Sequence, residues 1–303
     1  MMPASTLRTY LELVRFSHTV FALPFALMAA LIAFSQPVGG DAQAAAWPRQ
    51  LAGILVCMVT ARTAAMAFNR LADRAIDAAN PRTANRHLPR GAVSIAEVMG
   101  LVSGSIVGFV AGTLLFLPNW LPLALSAPVL AWLLGYSYAK RFTSLAHGWL
   151  GAALGLAPLA AWIAIRGETL LATPADAWPA VILGAAVTVW VAGFDTIYAC
   201  QDAAFDAAHG LHSLPARLGV SRALQVAGVL HGVTVILLAC LPHVVPQLGP
   251  IYWVSLAVIA ALLAWEHAIV RPDDLSRVND AFFTANALVG FTLLAAIAAD
   301  LRW

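Results

Sequence analysis

The chain has 303 residues, of which 61% are hydrophobic and 11% are charged. Its mean hydropathy is +0.81. A soluble domain has roughly 45–50% apolar and about 25% charged residues, so this composition excludes an ordinary soluble protein and indicates a membrane protein with several spans. The net charge of +2 is small, and the charge distribution does not resemble that of a nucleic-acid-binding protein.

Apolar windows long enough to cross a hydrocarbon core of about 30 Å as helices recur along the whole chain. They predict an all-α polytopic bundle of about nine transmembrane helices, forming a single integral membrane domain over residues 1–303. The predicted spans lie near residues 18–35, 48–68, 95–117, 119–138, 146–164, 178–200, 221–241, 251–270 and 280–300.

The basic residues predict the orientation, because loops rich in Lys and Arg remain in the cytoplasm. With the N-terminus inside, one side of the membrane collects 13 of the 17 Lys and Arg residues. The other side has Arg49, Arg166 and Arg302, and Arg62 lies within predicted span 2. We therefore expect a protein of the bacterial inner membrane whose loops after spans 2, 4, 6 and 8 face the cytoplasm.

Acidic residues concentrate where predicted spans 2 and 6 meet the cytoplasmic face. A carboxylate within a span costs about 2.5–3.5 kcal/mol on insertion scales, so these residues require hydration or a cation. Asn69, Asp73 and Asp77 are four residues apart and share one face of a helix. The five acidic residues at these two span ends are Asp73, Asp77, Asp195, Asp202 and Asp206.

Asp202 and Asp206 repeat the four-residue spacing, with Tyr198 one turn before them. Carboxylates at this spacing repel each other on a bare helix, whereas Mg²⁺ typically binds one or two carboxylates together with water and phosphate oxygens. The first acidic segment, NRLADRAIDAANPRTANRHLPRG at 69–91, aligns with the second acidic segment, YACQDAAFDAAHGLHSLPARLG at 198–219. We expect two half-sites of an internal repeat that converge at one cytoplasmic mouth. Solvated charges at helix ends are the alternative.

Arginines follow the first acidic pair in a stretch that Pro81 and Pro89 prevent from forming a continuous helix. Arg86 is one of three arginines in this predicted loop. Arginine binds phosphate oxygens bidentately, so arginines beside metal-binding acids indicate a diphosphate site. Lys140 and Arg141, after predicted span 4, lie on the same side of the membrane. Lys140 binds the same diphosphate or is an interfacial charge. Arg141 binds the diphosphate as well, or instead the carboxylate of a second substrate, which suits a guanidinium group.

These motifs together resemble the UbiA superfamily of intramembrane aromatic prenyltransferases. The resemblance rests on N-x-x-x-D-x-x-x-D and R-T-A-N-R-H-L-P-R-G after span 2, Y-A-K-R after span 4, and D-T-I-Y-A-C-Q-D-A-A-F-D after span 6. It extends from RFSHTVFALPF near the start of the chain to AFFTANALVG in the last span.

The resemblance implies a nine-helix bundle with a lateral opening to the lipid bilayer, and an isoprenyl diphosphate bound through two Mg²⁺ ions. The metal ligands by position are Asp73, Asp77, Asp202 and Asp206. The resemblance also implies that Asp195 and Tyr198 are catalytic, with Asp195 orienting the acceptor or accepting its proton; a supporting role at the metal is the alternative for Asp195. The substrate-binding residues that it implies are Asn69, Arg62, Arg86, Lys140 and Arg141.

Two segments differ from the ubiquinone-pathway enzymes. Residues 85–89 read N-R-H-L-P where those enzymes have N-R-P-L-P, and residues 210–215 read G-L-H-S-L-P where they have G-I-K-S-T-A. With HTVFALPF, the chain resembles the 4-hydroxybenzoate polyprenyltransferase-like branch, which includes enzymes of the futalosine route to menaquinone. The implied reaction is Mg-dependent transfer from a polyprenyl diphosphate to an aromatic acid, 4-hydroxybenzoate or a dihydroxynaphthoate, in ubiquinone or menaquinone biosynthesis.

Three other functions fit part of the pattern. A secondary transporter also has intramembrane acids, but these usually lie near the bilayer midplane, whereas the acids here cluster at one face. A phosphatidyltransferase of the CDP-alcohol type uses D-x-x-x-D, but its preceding D-G-x-x-A-R is absent. A prenyltransferase of the same superfamily that acts on a heme or chlorophyll side chain stays open.

Overall fold

Long apolar helices make up most of the protein. The computed structural model describes residues 4–14, 23–37 and 41–302. Among these residues, eight helical segments are long and apolar enough to cross a membrane: Ala46–Ala72, Ile95–Phe116, Leu121–Arg141, Ala146–Ala172, Pro174–Ala208, Val220–His243, Pro250–Ile269 and Phe283–Asp300.

These segments agree with eight of the predicted spans, and the all-α fold is confirmed. The predicted first span contains the apolar helix Leu23–Ser35, which has 13 residues. At 1.5 Å per residue this helix is about 20 Å long, shorter than the hydrocarbon core of about 30 Å. Residues 15–22, with the start of that span and most of the RFSHTVFALPF motif, lie outside the described residues.

From residue 41 onwards the α-helices are joined by turns, by single 3-10 turns and, over residues 80–94, by a longer loop. In chain order they are α1 (Ala4–Leu13), α2 (Leu23–Ser35), α3 (Asp41–Ala72), α4 (Arg74–Ala79), α5 (Ile95–Thr113), α6 (Leu121–Gly135), α7 (Ala146–Ala172), α8 (Trp178–Ala199), α9 (Ala203–Ala208), α10 (Leu214–Leu218), α11 (Val220–Cys240), α12 (Pro250–Ile269), α13 (Val278–Asp280) and α14 (Asn286–Asp300). A π-helical turn, Ala281–Ala285, joins the last two.

The chain divides into two compact units. Unit 1 comprises Met1–Thr19 and Pro48–Tyr138, and unit 2 comprises Val20–Trp47 and Ala139–Trp303. In unit 1, the end of α1, the end of α3 and the start of α5 share one apolar cluster that also includes the loop after α4. The cluster consists of Leu13, Val14, Ala67, Leu71, Leu88, Val93, Val98 and Val102. It therefore anchors both ends of the first acidic segment.

In unit 2, α8 packs against α2, α7 and α11. Glycines bring α7 and α8 into backbone contact: a Cβ added at Gly155 would lie 2.6 Å from the carbonyl oxygen of Gly184 and would also overlap the Thr188 hydroxyl. A Cβ at Gly151 would overlap the carbonyl oxygen of Thr188. Small residues four apart on each helix permit this close approach, as in other membrane helix pairs.

A buried ion pair fixes the other end of α7. Arg166 has non-helical backbone angles (φ −117°, ψ 19°) within this helix, and its side chain is 4% exposed. Its Nε and Nη2 donate to the two carboxylate oxygens of Asp176 at 2.8 and 2.6 Å. Trp162 Nε1 donates to the same carboxylate at 3.0 Å. The pairing offsets the cost of burying an arginine charge.

Candidate active site

The first acidic segment starts on α3 and continues across a break in the helix. Asp73 follows the last residue of α3 and has φ −94° and ψ 7°, and Asp77 is the fourth residue of the six-residue helix α4. Backbone hydrogen bonds from Asp73 N to Asn69 O (2.9 Å) and from Asp77 N to Asp73 O (2.7 Å) span the break. The predicted four-residue spacing is therefore kept although the helix is not continuous. Asn69 Nδ2 also donates to Asp73 Oδ2 at 2.9 Å.

Two arginines surround the carboxylate of Asp77, which is buried. Arg86 Nη1 donates to both of its oxygens, at 2.6 and 2.8 Å. Arg70 Nη1 lies 3.8 Å from Oδ2, and Arg70 Nε donates to the carbonyl oxygen of Leu13 at 3.3 Å. Arg70 was not singled out in the sequence, because nothing local distinguishes it from an interfacial charge. Arg86, predicted to bind phosphate, is paired here with a predicted metal ligand.

The arginine-containing loop is a run of turns, as its prolines predict. Thr83 Oγ1 donates to the carbonyl oxygen of Asp77 at 2.9 Å. The Asn80 side chain accepts from Arg82 N at 2.9 Å. These bonds hold the loop against the end of α4, which places Arg86 beside Asp77, whereas Arg82 and Arg90 are exposed.

The second acidic segment repeats the backbone of the first. Its long helix, α8, carries Asp195 and Tyr198 and leads into a 3-10 turn that ends at Asp202. Asp202 has φ −104° and ψ 3°, and Asp206 is the fourth residue of the six-residue helix α9. In both segments the first aspartate lies at the break, in the sparsely populated bridge region where active-site residues are common. The sequence repeat is thus also a repeat of backbone conformation.

Asp206 has a buried carboxylate oxygen that lacks a hydrogen-bond donor. The residue is 3% exposed, and among the described residues its Oδ2 has no hydrogen-bond partner. Lys140 Nζ lies 3.6 Å from this oxygen, and the Lys140 carbonyl oxygen accepts from His212 N at 2.7 Å. Lys140 therefore lies beside the second acidic pair. Arg141, the next residue, is exposed.

Asp195 is bonded to a histidine that sequence reasoning missed. His147 Nδ1 lies 2.7 Å from Asp195 Oδ2, and His147 Nε2 accepts from Leu214 N at 3.3 Å. The His147 side chain is 1% exposed and that of Asp195 is 16% exposed. His147 and Asp195 are 48 residues apart, so no local pattern links them.

The other predicted site residues lie on the long helices of the two units. Arg62 is partly buried on α3, about 10 Å along the helix axis before Asn69. Tyr198 is partly buried near the end of α8, one turn before Asp202.

The carboxylates of the two segments fit Mg²⁺ in number and type. Each segment supplies two aspartates, which is as many as this ion usually takes from a protein. No three His, Cys, Asp or Glu side chains form a metal-binding group within the described ranges. Water and phosphate oxygens would complete the coordination. Asp206 Oδ2 accepts no hydrogen bond among the described residues and has only the ammonium of Lys140 nearby, at 3.6 Å, whereas a cation at Asp77 has to displace the two hydrogen bonds from Arg86.

Known sequences resemble this chain over most of its length. The model of the UbiA prenyltransferase family matches residues 22–288. The 4-hydroxybenzoate octaprenyltransferase of Albidiferax ferrireducens is 32% identical over 241 residues, which cover 78% of this chain and 76% of that protein. The mitochondrial 4-hydroxybenzoate polyprenyltransferase of Caenorhabditis elegans is 32% identical over 239 residues. That match covers 79% of this chain and 64% of the relative's length.

Solved structures share the fold. The apo structure of a UbiA homologue from Aeropyrum pernix K1 matches with a TM-score of 0.79 and 36% identity, covering 94% of this chain and 98% of that one. A UbiA homologue from Archaeoglobus fulgidus, bound to GPP and Mg²⁺, matches with a TM-score of 0.66 and 21% identity over 96% and 99% of the two chains. The second likeness supports the fold alone. The protein is an integral membrane protein, and it belongs to the UbiA prenyltransferase family.

Proposed function

We propose that the protein transfers a polyprenyl group from an isoprenyl diphosphate to an aromatic acid in a Mg²⁺-dependent reaction. The observation that carries the proposal is the repeated pair of aspartates at one kind of backbone break, with a buried, unbonded carboxylate oxygen on Asp206. Curated relatives named 4-hydroxybenzoate polyprenyltransferases support the reaction class. The four aspartates have the chemistry of Mg²⁺ and diphosphate ligation, and a homologue of the same fold was solved with GPP and Mg²⁺ bound.

The metal ligands in this proposal are Asp73 and Asp77 of the first segment and Asp202 and Asp206 of the second. Bound Mg²⁺ supplies charge stabilisation to the diphosphate as it departs. Lys140, whose ammonium lies 3.6 Å from Asp206, donates to the phosphate oxygens. Arg86 donates to the same diphosphate once its guanidinium leaves Asp77, a carboxylate that it now contacts at 2.6 Å.

The acceptor side of the site consists of Asp195, Tyr198 and Arg141. Arg141 pairs with the carboxylate of the aromatic acid, because guanidinium recognises carboxylates bidentately. Asp195 binds the acceptor's hydroxyl group and accepts a proton from the acceptor as the new carbon–carbon bond forms. The apolar helix walls hold the prenyl tail and exclude water, which would otherwise capture the electrophilic allyl group.

For the acceptor we propose 4-hydroxybenzoate, with a dihydroxynaphthoate as second candidate. The names of the relatives favour 4-hydroxybenzoate, whereas the departures at residues 85–89 and 210–215 favour the menaquinone branch. We further propose that the protein resides in a bacterial inner membrane with its acidic segments at the cytoplasmic face, where 13 of the 17 basic residues would also lie.

The test uses the full-length protein in lipid nanodiscs with a long-chain prenyl diphosphate and a panel of aromatic acids. We expect prenylated acid to form with Mg²⁺ and none to form after EDTA treatment. Asp206→Asn should lower the transfer rate by at least about 100-fold, the effect of removing one group that stabilises developing charge. Asp273→Asn, at an exposed acid in the loop after α12, is the matched control. Full activity of Asp206→Asn, or transfer that EDTA does not affect, would contradict the proposal.

A further inference from the structure

We propose that His147 is the positioning residue of Asp195: its neutral imidazole holds one oxygen of this carboxylate so that the other faces the acceptor. The inference rests on the proposed function, in which Asp195 serves the acceptor. It extends that function by naming the group that orients Asp195, a histidine on a different helix.

The two side chains come from neighbouring helices. His147 is the second residue of α7, and Asp195 lies in the last turns of α8. The 2.7 Å distance from Nδ1 to Oδ2 is that of a strong hydrogen bond to a carboxylate. Since the histidine is 1% exposed, water does not compete for this bond.

The second nitrogen of the imidazole fixes the direction of that bond. The backbone N–H of Leu214 can only donate, and it points at His147 Nε2 from 3.3 Å. Nε2 is therefore the unprotonated acceptor nitrogen, and the proton of the neutral ring resides on Nδ1. Nδ1–H then donates to Asp195. An imidazolium ring would lose the Leu214 bond, so His147 acts by orientation and does not serve as the base itself.

The bond leaves Asp195 with one held oxygen and one available oxygen. Among the residues that the structure describes, Oδ1 accepts no hydrogen bond, and the side chain is 16% exposed. An oxygen of this kind can accept the hydroxyl or ring proton of an aromatic acid. A carboxylate without the His147 bond would rotate about its χ2 torsion, which has a broad energy minimum.

The backbone contact between α7 and α8 makes the orientation rigid. Gly151, one turn after His147, lies against Thr188, two turns before Asp195. The two helices therefore touch close to the hydrogen-bonded pair, and their backbones cannot approach each other further there without a clash. Catalytic groups need this precision, because a displacement of about 1 Å can lower a rate by about 100-fold.

His147 could instead serve only to anchor the start of α10 through Leu214. The two roles use different ring nitrogens, so different substitutions separate them. In His147→Asn the side-chain amide nitrogen takes the place of Nδ1 and can still donate to Asp195. In His147→Gln the amide group reaches the place of Nε2 and can still accept from Leu214 N. His147→Leu removes both bonds.

The experiment measures kcat and KM for both substrates, and the acceptor-independent hydrolysis of the prenyl diphosphate, with full-length variants in nanodiscs. We expect His147→Gln and His147→Leu to lower kcat for transfer by about 10- to 100-fold. Their KM for the prenyl diphosphate and their hydrolysis rate should stay within about twofold of wild type, since the proposed metal and diphosphate ligands are unchanged. His147→Asn should keep at least about a third of kcat. His243→Gln, at an exposed histidine after α11, is the control.

A double substitution keeps the inference testable even if one variant folds poorly. Because His147 acts only through Asp195, adding His147→Gln to Asp195→Asn should cause no further loss of transfer. Thermal unfolding identifies the variants that are folded. Additive losses in the double variant would overturn the inference.

Three other results also decide the matter. Retained transfer in His147→Gln with loss in His147→Asn would assign His147 to anchoring Leu214 and overturn the inference. Unchanged kcat in all variants, with an active wild type, would overturn this inference alone. A wild-type protein that hydrolyses the diphosphate but prenylates none of the acids would overturn the proposed function, and the inference with it.

Discussion

Replacing Arg86 with leucine should destabilise the metal-free protein through Asp77. The substitution removes the donor that contacts both Asp77 oxygens, at 2.6 and 2.8 Å. The Asp77 side chain is 7% exposed and the Arg86 side chain 23% exposed, so the carboxylate cannot gain full hydration in exchange. Within the part of the chain that the structure describes, the cation that remains beside it is Arg70, 3.8 Å from Oδ2.

The magnitude follows from the burial of the two partners. Removing one member of a buried ion pair costs about 3–5 kcal/mol. Because Arg86 is partly exposed and Arg70 remains, we expect the lower end, about 3 kcal/mol of unfolding free energy. Asp77→Asn should cost less unfolding free energy, about 1–2 kcal/mol. The guanidinium of Arg86 can then turn towards water, and the amide oxygen of the new asparagine can still accept a hydrogen bond. The double variant should lose about 2 kcal/mol less unfolding free energy than the sum of the two single losses.

The assay is denaturant unfolding in mixed micelles containing EDTA, followed by tryptophan fluorescence, for wild type, both single variants and the double variant. Arg90→Leu, at an exposed position in the same loop, should change stability by less than about 0.5 kcal/mol. If the coupling between Arg86 and Asp77 is also below about 0.5 kcal/mol, the reasoning about this pair is wrong. On the proposed function, Mg²⁺ and a non-reactive diphosphate analogue should reduce the Arg86→Leu penalty, because Asp77 then has a second cationic partner.

Two further predictions concern packing and burial in unit 2, both measured as unfolding free energies. Gly155→Val should cost about 3 kcal/mol more than Gly148→Val on the same helix. A Cβ at Gly155 would lie 2.6 Å from the Gly184 carbonyl oxygen, whereas Gly148 faces open space. Equal costs would exclude the close helix contact. Asp176→Asn should cost about 3–5 kcal/mol, because it leaves Arg166, with its side chain 4% exposed, as a buried charge without a carboxylate; a change below about 1 kcal/mol would show that the pair is not desolvated.

The helices and the acidic pairs could be predicted because their signals are local. A span is visible as a long apolar window, whatever it packs against. The spacing of Asp73 and Asp77 is visible as an i,i+4 repeat, and Pro81 and Pro89 exclude a helix between them and α5. These features depend on residues within a few turns of one another.

The partners of these residues could not be predicted, because tertiary contacts determine them. His147 and Asp195 are 48 residues apart, and a histidine near a span end has many possible roles. The helix break at Asp73 and at Asp202 lies in sequences without Gly or Pro, where residue propensities favour a continuous helix. Arg86 has the chemistry of a phosphate ligand, and only the fold reveals its contact with Asp77.

The close contact of α7 with α8 has a consequence for how the site can adapt to substrates. Helix α8 carries Thr188, Asp195 and Tyr198 and leads into the 3-10 turn that ends at Asp202. Because α8 is uninterrupted and packs closely against Gly151 and Gly155 of α7, it moves as a rigid unit. If it shifts, the Asp195 carboxylate and the start of the second acidic pair move together and keep their spacing.

Adjustment to acceptors of different size is then left to α9 and the turn that leads to α10. This turn is held by single hydrogen bonds, from His212 N to the Lys140 carbonyl oxygen and from Leu214 N to His147 Nε2, and a Cβ added at its Gly210 would meet no atom within 4 Å.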